Sequence, residues 1–195
     1  MLPPQLIETI KALHAGPERG YHAWSHPAAL LDLMEEVRDQ LSDPAAVRCA
    51  ILLHDAIYDA KRSDNERRSA ALAADLLAGH VPAETIRRAV RLIEATERHE
   101  VPPDVGDDEA SDARFFLDLD LSILGADARA FDAYEAGVRH EHQHVPDAAF
   151  RAGRAAILGR FLARDRLYLS DWGIARFETQ ARQNLARSLA ALRAA

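Results

Sequence analysis

The stretch 51–70, ILLHDAIYDAKRSDNERRSA, decides how the chain is read. Three apolar residues run straight into His54 and Asp55, and a polar, charged segment follows. An imidazole and a carboxylate buried in an apolar helix each cost on the order of several kcal/mol if left unpaired. Adjacent residues on a helix point about 100° apart, so the two cannot share one core stripe. They can converge on an ion lying beside the helix. A divalent cation supplies the positive charge that the carboxylate lacks, and it obliges the rest of the chain to bring further ligands.

The rest of the chain reads as helix. Apolar residues make up 48% of the 195 and aromatic ones 6%, with only nine Gly and nine Pro. Long β-branched runs are missing, and this is the composition of an all-α protein long enough to bury its own core. The net charge of −7 argues against a nucleic-acid polymer or an anionic membrane surface as partner. A single cysteine, Cys49, excludes an internal disulfide and fits a reducing cytoplasm. No run approaches the ~20 apolar residues of a membrane span. The start, MLPPQLIETI, has no basic region leading into an apolar one, so a cytoplasmic location is expected.

Hydrophobic periodicity divides residues 1–195 into one bundle of about nine helices. The first covers 3–14, and a loop covers 15–24. The second runs over 25–41, with His26, Leu30, Leu33, Val37 and Leu41 on one stripe. Asp43-Pro44 is an N-cap followed by a first-turn proline; it starts a third helix carrying Val47, Ala50, Ile51, His54 and Tyr58 on one face. Ser63 or Asp64 caps a fourth, which ends near Gly79, and Pro82 opens a fifth that reaches His99. The polar segment 101–112 reads as a surface loop. Helices over 112–124, 127–143, 147–164 and 174–192 complete the bundle.

A metal held by His54 and Asp55 needs partners from elsewhere. His26 opens the second helix on its apolar stripe. In FFLDLDLSILG, 115–125, Asp118 and Asp120 interrupt a run of large apolar residues, and a carboxylate there needs a partner. Two imidazoles with two carboxylates suit one six-coordinate divalent ion, such as Mn²⁺, Fe²⁺ or Co²⁺, better than a closed structural zinc site. About two positions stay open for water and substrate.

His26, then His54-Asp55, then a later helical Asp resembles the H…HD…D signature of the HD-domain superfamily, metal-dependent phosphohydrolases on an all-α fold. YHAWSH (21–26), HDAIYD (54–59), DNERRSA (64–70), ATERH (95–99), FLDLDLSILG (116–125), YEAGVRHE (134–141) and ARQNL (181–185) together look like a bacterial group of HD-superfamily phosphohydrolases. The likeness spans about residues 20–190. It implies an HD-like helical bundle, one divalent ion (Mn, Fe, Co, Ni, Zn or Mg), and His26, His54, Asp55 and Asp120 as ligands. Asp120 takes the position of the second Asp in a D-A-D-x-L pattern, and Asp118 the first.

The pattern also departs from the superfamily. Its ribosyl-3′-pyrophosphate hydrolases follow the HD pair with Glu-Asp, the acid–base group; Tyr58 and Asp59 stand here instead. This argues against guanosine tetraphosphate as substrate and moves the proton-transfer role to Asp59 and Glu66. His22, His99, Lys61 and Arg139 are candidates for holding a substrate. A Lys or Arg beside a metal can take a phosphate, and Arg139 can do so bidentately. His140, His142 and His144 alternate, so on a helix they point apart and read as surface residues. The expected function is hydrolysis of a phosphate ester, a nucleotide or a related small phosphorylated metabolite. The alternatives are a non-catalytic, metal- and nucleotide-binding regulatory module and, behind it, a di-iron oxygenase.

Overall fold

The computed structural model describes residues 2–194. Among them are nine α-helices and no strand: α1 Pro4–Leu13, α2 Ser25–Val37, α3 Pro44–Leu53, α4 Asn65–Leu77, α5 Ala83–Ala95, α6 Asp107–Asp120, α7 Ala128–Glu141, α8 Asp147–Leu162 and α9 Asp171–Ala194. Short 3₁₀ turns follow α2 (Arg38–Gln40) and α6 (Leu121–Gly125). No described helix is long and apolar enough to cross a membrane.

Helix α3 lies at the centre. Ala46, Val47, Cys49, Ala50, Ile51, Leu52 and Leu53 are all buried, and a helix apolar on every side must be surrounded. Its start is fixed twice. Asp43 Oδ1 accepts from the Ala46 N–H at 2.9 Å. The buried Asp112 carboxylate of α6 accepts from the N–H groups of Ser42 and Asp43 at 2.7 and 2.8 Å.

Several boundaries differ from the sequence reading: α2 ends at Val37 rather than Leu41, α5 ends at Ala95 rather than His99, and three more bear on the site or its supports. Helix α3 ends at Leu53, so His54 caps it and Asp55 lies in the turn beyond rather than on the helix. Helix α6 begins at Asp107, inside the segment read as loop. Asp107, Asp108 and Glu109 form its first turn, where negative charge meets the positive end of the helix dipole. Helix α9 starts at Asp171, where Ser170 Oγ accepts from the Gly173 N–H at 3.0 Å.

Buried side chains form two clusters. The larger gathers residues of α1 to α6, from Leu6 and Ile10 to Phe116 and Leu119. The smaller gathers Leu121, Leu124, Phe131, Leu158, Tyr168, Phe177 and Leu185 from α7, α8, α9 and the turns between. The C-terminal end of α6 passes from one cluster to the other, and it does so at Asp118 and Asp120.

A candidate metal centre

Three elements deliver ligand atoms to one point. His26 is the second residue of α2, His54 caps α3 and Asp120 ends α6. His26 Nε2 lies 3.1 Å from His54 Nε2 and 3.1 Å from Asp120 Oδ1; His54 Nε2 lies 3.4 Å from the same oxygen. Asp55 Oδ2 borders this focus, 3.0 Å from His54 Nε2 and 3.8 Å from His26 Nε2. Both imidazoles are buried.

The donor chemistry fits a cation. His54 Nδ1 donates to the Ile51 carbonyl at 3.0 Å, so in its neutral form the Nε2 lone pair faces the focus. His26 Nδ1 shares a hydrogen bond of 3.0 Å with the Tyr21 hydroxyl. Each ring is thus oriented through its far nitrogen, as metal-ligating histidines are. Ligands about 2.1 Å from an ion stand about 3.0 Å apart at right angles and about 3.4 Å apart at tetrahedral angles. The spacings of 3.1, 3.1 and 3.4 Å fall in that range, so an ion fits without rearrangement. Burial works against a charge on His54, yet the Asp55 and Asp120 carboxylates together hold its pKa well above the usual imidazole range. Burial, together with the charge on His54, pushes His26 below it.

The focus opens into a cavity of about 170 Å³ lined by Tyr21, His22, Tyr58, Glu66, His99 and Tyr134, among others. His22 Nδ1 donates to Glu141 Oε2 at 2.8 Å, and the ring stacks on Tyr58 at a centroid distance of 4.1 Å. His99 Nε2 donates to Asp120 Oδ2 at 2.9 Å. Of the residues read from the sequence, then, His22, His26, His54, Asp55, Glu66, His99 and Asp120 come together.

Four residues do not join that group. Asp118 leaves the cavity for the junction with α9: its carboxylate accepts from the Leu169 and Ser170 N–H groups, both at 2.7 Å, and from Ser170 Oγ at 2.6 Å. Asp59 is exposed and accepts from the Lys61 N–H at 2.9 Å. Both residues line a separate hollow of about 440 Å³ on the other side of Tyr58 and Glu141. Arg139 corrects the sequence reading most clearly. Its guanidinium donates to the carbonyls of His142 (2.7 Å) and Val145 (3.2 Å) and to Asp147 Oδ1 (2.6 Å), and it lies over the Phe150 ring. The bonded Nη1 and Nη2 of that fork face the α7–α8 connection, three turns from the 3₁₀ turn that joins α6 to α7, and Arg139 does not line the cavity.

Sequence reasoning missed Glu141. It is buried at the end of α7, where Oε1 accepts from the N–H groups of Tyr21 (2.7 Å) and His22 (2.9 Å), and Oε2 accepts from His22 Nδ1 and the Tyr58 hydroxyl (2.9 Å). One carboxylate thereby shapes the wall formed by the loop 15–24. The signal that could have found it is Gly137, four residues earlier and on the same helix face. A Cβ on Gly137 would meet the Gly20 backbone at 3.0 Å, so glycine at both positions lets the loop come close enough for its amides to reach Glu141. Arg19 was missed as well. It is buried and donates to the carbonyls of His22 (2.7 Å), Asp55 (2.8 Å) and Ala56 (3.1 Å), tying the loop to the end of α3.

No family model, no curated protein and no solved structure matches the chain.

Proposed function

We propose that this chain is a metal-dependent hydrolase of small phosphate esters, in the manner of the HD superfamily that its motifs resemble. The observation that carries the reading is the meeting of His26 Nε2, His54 Nε2 and an Asp120 oxygen within 4.8 Å of one another, from residues 94 positions apart at the extremes. Asp55 is the fourth ligand in this reading. When bound, a divalent ion there supplies Lewis-acid activation of a phosphoryl oxygen and of the attacking water.

The chain's own groups supply the rest. Glu66, on the cavity wall, accepts a proton from the attacking water. Glu141 orients His22 through Nδ1, leaving Nε2 without a hydrogen bond among the described residues; that nitrogen holds a substrate oxygen. Tyr21, Tyr58 and Tyr134 narrow the cavity around a phosphoryl-sized group. Asp59, Lys61 and Arg139 have no part in this step. A small phosphorylated metabolite or a nucleotide is the substrate class.

The test is metal analysis of the purified protein, followed by a phosphatase screen over nucleotides and sugar phosphates with Mn²⁺, Co²⁺, Ni²⁺ and Mg²⁺. About one equivalent of metal and turnover of at least one ester are expected. Turnover that survives His54→Ala would overturn the reading. A second reading, a regulatory module that keeps its metal and binds nucleotide without turnover, is favoured by one observation. Tyr58 occupies the place of an acid–base Glu, and its hydroxyl is committed to Glu141. Tight nucleotide binding with no hydrolysis under any of the four ions would select it.

A further inference from the structure

Asp120 has two oxygens with different work. Oδ1 faces His26 and His54, and Oδ2 accepts from His99 Nε2 at 2.9 Å. A carboxylate only accepts, so the His99 proton sits on Nε2. This bond turns the carboxylate so that a single oxygen is presented to the focus.

His99 reaches Asp120 from an unusual backbone. Helix α5 ends at Ala95, and His99 then adopts φ +51°, the left-handed region. Residues with a Cβ enter that region at a steric cost, and they stay there only where their surroundings hold them. The hold comes from α8 and the residues just after it. Arg164 Nη2 donates to the Arg98 carbonyl at 3.0 Å and Nη1 to the His99 carbonyl at 3.3 Å. Its guanidinium lies 5.0 Å from the Phe161 ring centre, and the Phe161 ring meets the His99 ring edge-on at 5.9 Å. The Arg164 backbone is itself fixed, since its carbonyl accepts from Arg182 Nη2 at 2.8 Å. A chain of direct contacts therefore runs from α9 through Arg164 and His99 to Asp120.

We propose that Arg164 is a positioning residue of the metal centre: by clamping the two carbonyls of the left-handed turn at 98–99, it aims His99 at Asp120 and so sets which carboxylate oxygen meets the metal. The inference rests on the metal reading above, and it gives α8 and α9 a part in a site whose ligands come from α2, the C-terminal end of α3 and α6. A planar fork spanning two carbonyls is something a Lys cannot copy.

The experiment uses the full chain with Arg164→Met, which keeps the apolar stem against Phe161, Arg164→Lys, His99→Gln, and the double variant Arg164→Met/His99→Gln. Three quantities are measured: Mn²⁺ affinity by calorimetry, the ¹⁵N resonances of the histidine rings in metal-free protein, and the melting temperature. Arg164→Met and Arg164→Lys are each expected to weaken Mn²⁺ binding about 10-fold, the lower end for partners that orient a ligand. His99→Gln is expected to weaken it at least as much. The double variant should bind no worse than His99→Gln alone, because Arg164 acts through His99. In metal-free protein Arg164→Met should shift the His99 Nε2 resonance and leave those of His140 and His144 in place. Losses that add in the double variant, full affinity in Arg164→Lys, or an unmoved His99 resonance would each overturn the proposal. Should Arg164→Met fail to fold, Arg164→Lys and His99→Gln carry the same comparison. If wild-type protein binds none of Mn²⁺, Co²⁺, Ni²⁺, Zn²⁺, Fe²⁺ and Mg²⁺, the metal reading fails by itself, and the His99 resonance still decides whether Arg164 positions it.

Discussion

Asp118 and Asp120 stand two residues apart at the end of α6 and serve opposite sides of it. Asp120 faces His26 and His54, whereas Asp118 receives the Leu169 and Ser170 amides at the entry to α9. Residues at i and i+2 on a helix point apart, so one short motif supplies both a residue of the candidate metal centre and a tether. A Cβ at Gly173 would come within 2.4 Å of Asp118 Oδ2, so glycine there is what lets α9 dock so closely.

The pair separates metal from stability. Asp120→Ala and Asp55→Ala should each abolish metal uptake, read by elemental analysis after dialysis against Mn²⁺. Asp118→Asn should leave uptake largely intact and lower the unfolding free energy by about 2–4 kcal/mol, since it weakens three hydrogen bonds to a buried carboxylate. Denaturant titration measures that loss. Metal lost in Asp118→Asn and kept in Asp120→Ala would reverse the assignment.

Arg139→Ala should act on stability alone. The side chain bridges two carbonyls and Asp147 at the α7–α8 connection, so its removal should cost about 1–2 kcal/mol and lower the melting temperature by a few degrees. The KM of any substrate found by the screen should stay within twofold of wild type. A tenfold rise in KM at unchanged stability would return Arg139 to the substrate pocket.

Acid should loosen the loop 15–24 through Glu141. Burial raises the pKa of this carboxyl, but the His22 imidazole and the amides of His22 and Tyr21 outweigh burial and bring it down to about 2. Its folded pKa therefore lies below its unfolded value of about 4.3. The stability it contributes is present above the unfolded value and is lost as pH falls toward 2, up to about 3 kcal/mol in all. Glu141→Gln should be less stable than wild type at pH 6 and should show a shallower fall between pH 4.5 and 2. Parallel curves in urea titrations across that range would contradict this.

Cys49 should resist modification. It is 2% exposed, and burial pushes its thiol up to about 11, so neither access nor thiolate is provided. A disulfide reagent should label the folded protein at the rate of global unfolding and the denatured chain within minutes. Rapid labelling of native protein would show that α3 opens locally.

Much of the fold was legible because helical periodicity reports burial directly. The nine helices, the Asp43 cap and the break after α1 all follow from apolar spacing and capping residues. The start of α6 was not legible, because an acidic first turn has the composition of a loop and becomes helical only when the dipole and the Arg87 and Arg91 contacts to Glu109 are counted. In the site, His26 and His54 were legible as polar residues on apolar faces, where a pattern search has contrast; spacing left Asp118 and Asp120 open, and only the family resemblance favoured Asp120. Glu141, Arg19 and Arg164 were not. Each works by holding backbone groups of a distant loop, and sequence spacing says nothing about which carbonyl a guanidinium will meet. Arg139 shows the converse: a basic residue in a family-like motif that folding spends on its own helix end.

The ligands at positions 26, 54 and 120 also bear on the order in which the chain matures. Most helix–helix contacts of this bundle form between neighbours in sequence, and such contacts close quickly; bringing 26 to 120 closes a loop of 94 residues, which is entropically later. The three side-chain atoms can meet only once α6 has docked on α2 and α3, so the site is complete only when these elements are packed together. On the metal reading, a bound ion would brace the three elements with a strength set by its free concentration, about 2.7 kcal/mol at a hundredfold excess over Kd. On that reading the stability of the folded chain would rise and fall with the supply of a divalent ion.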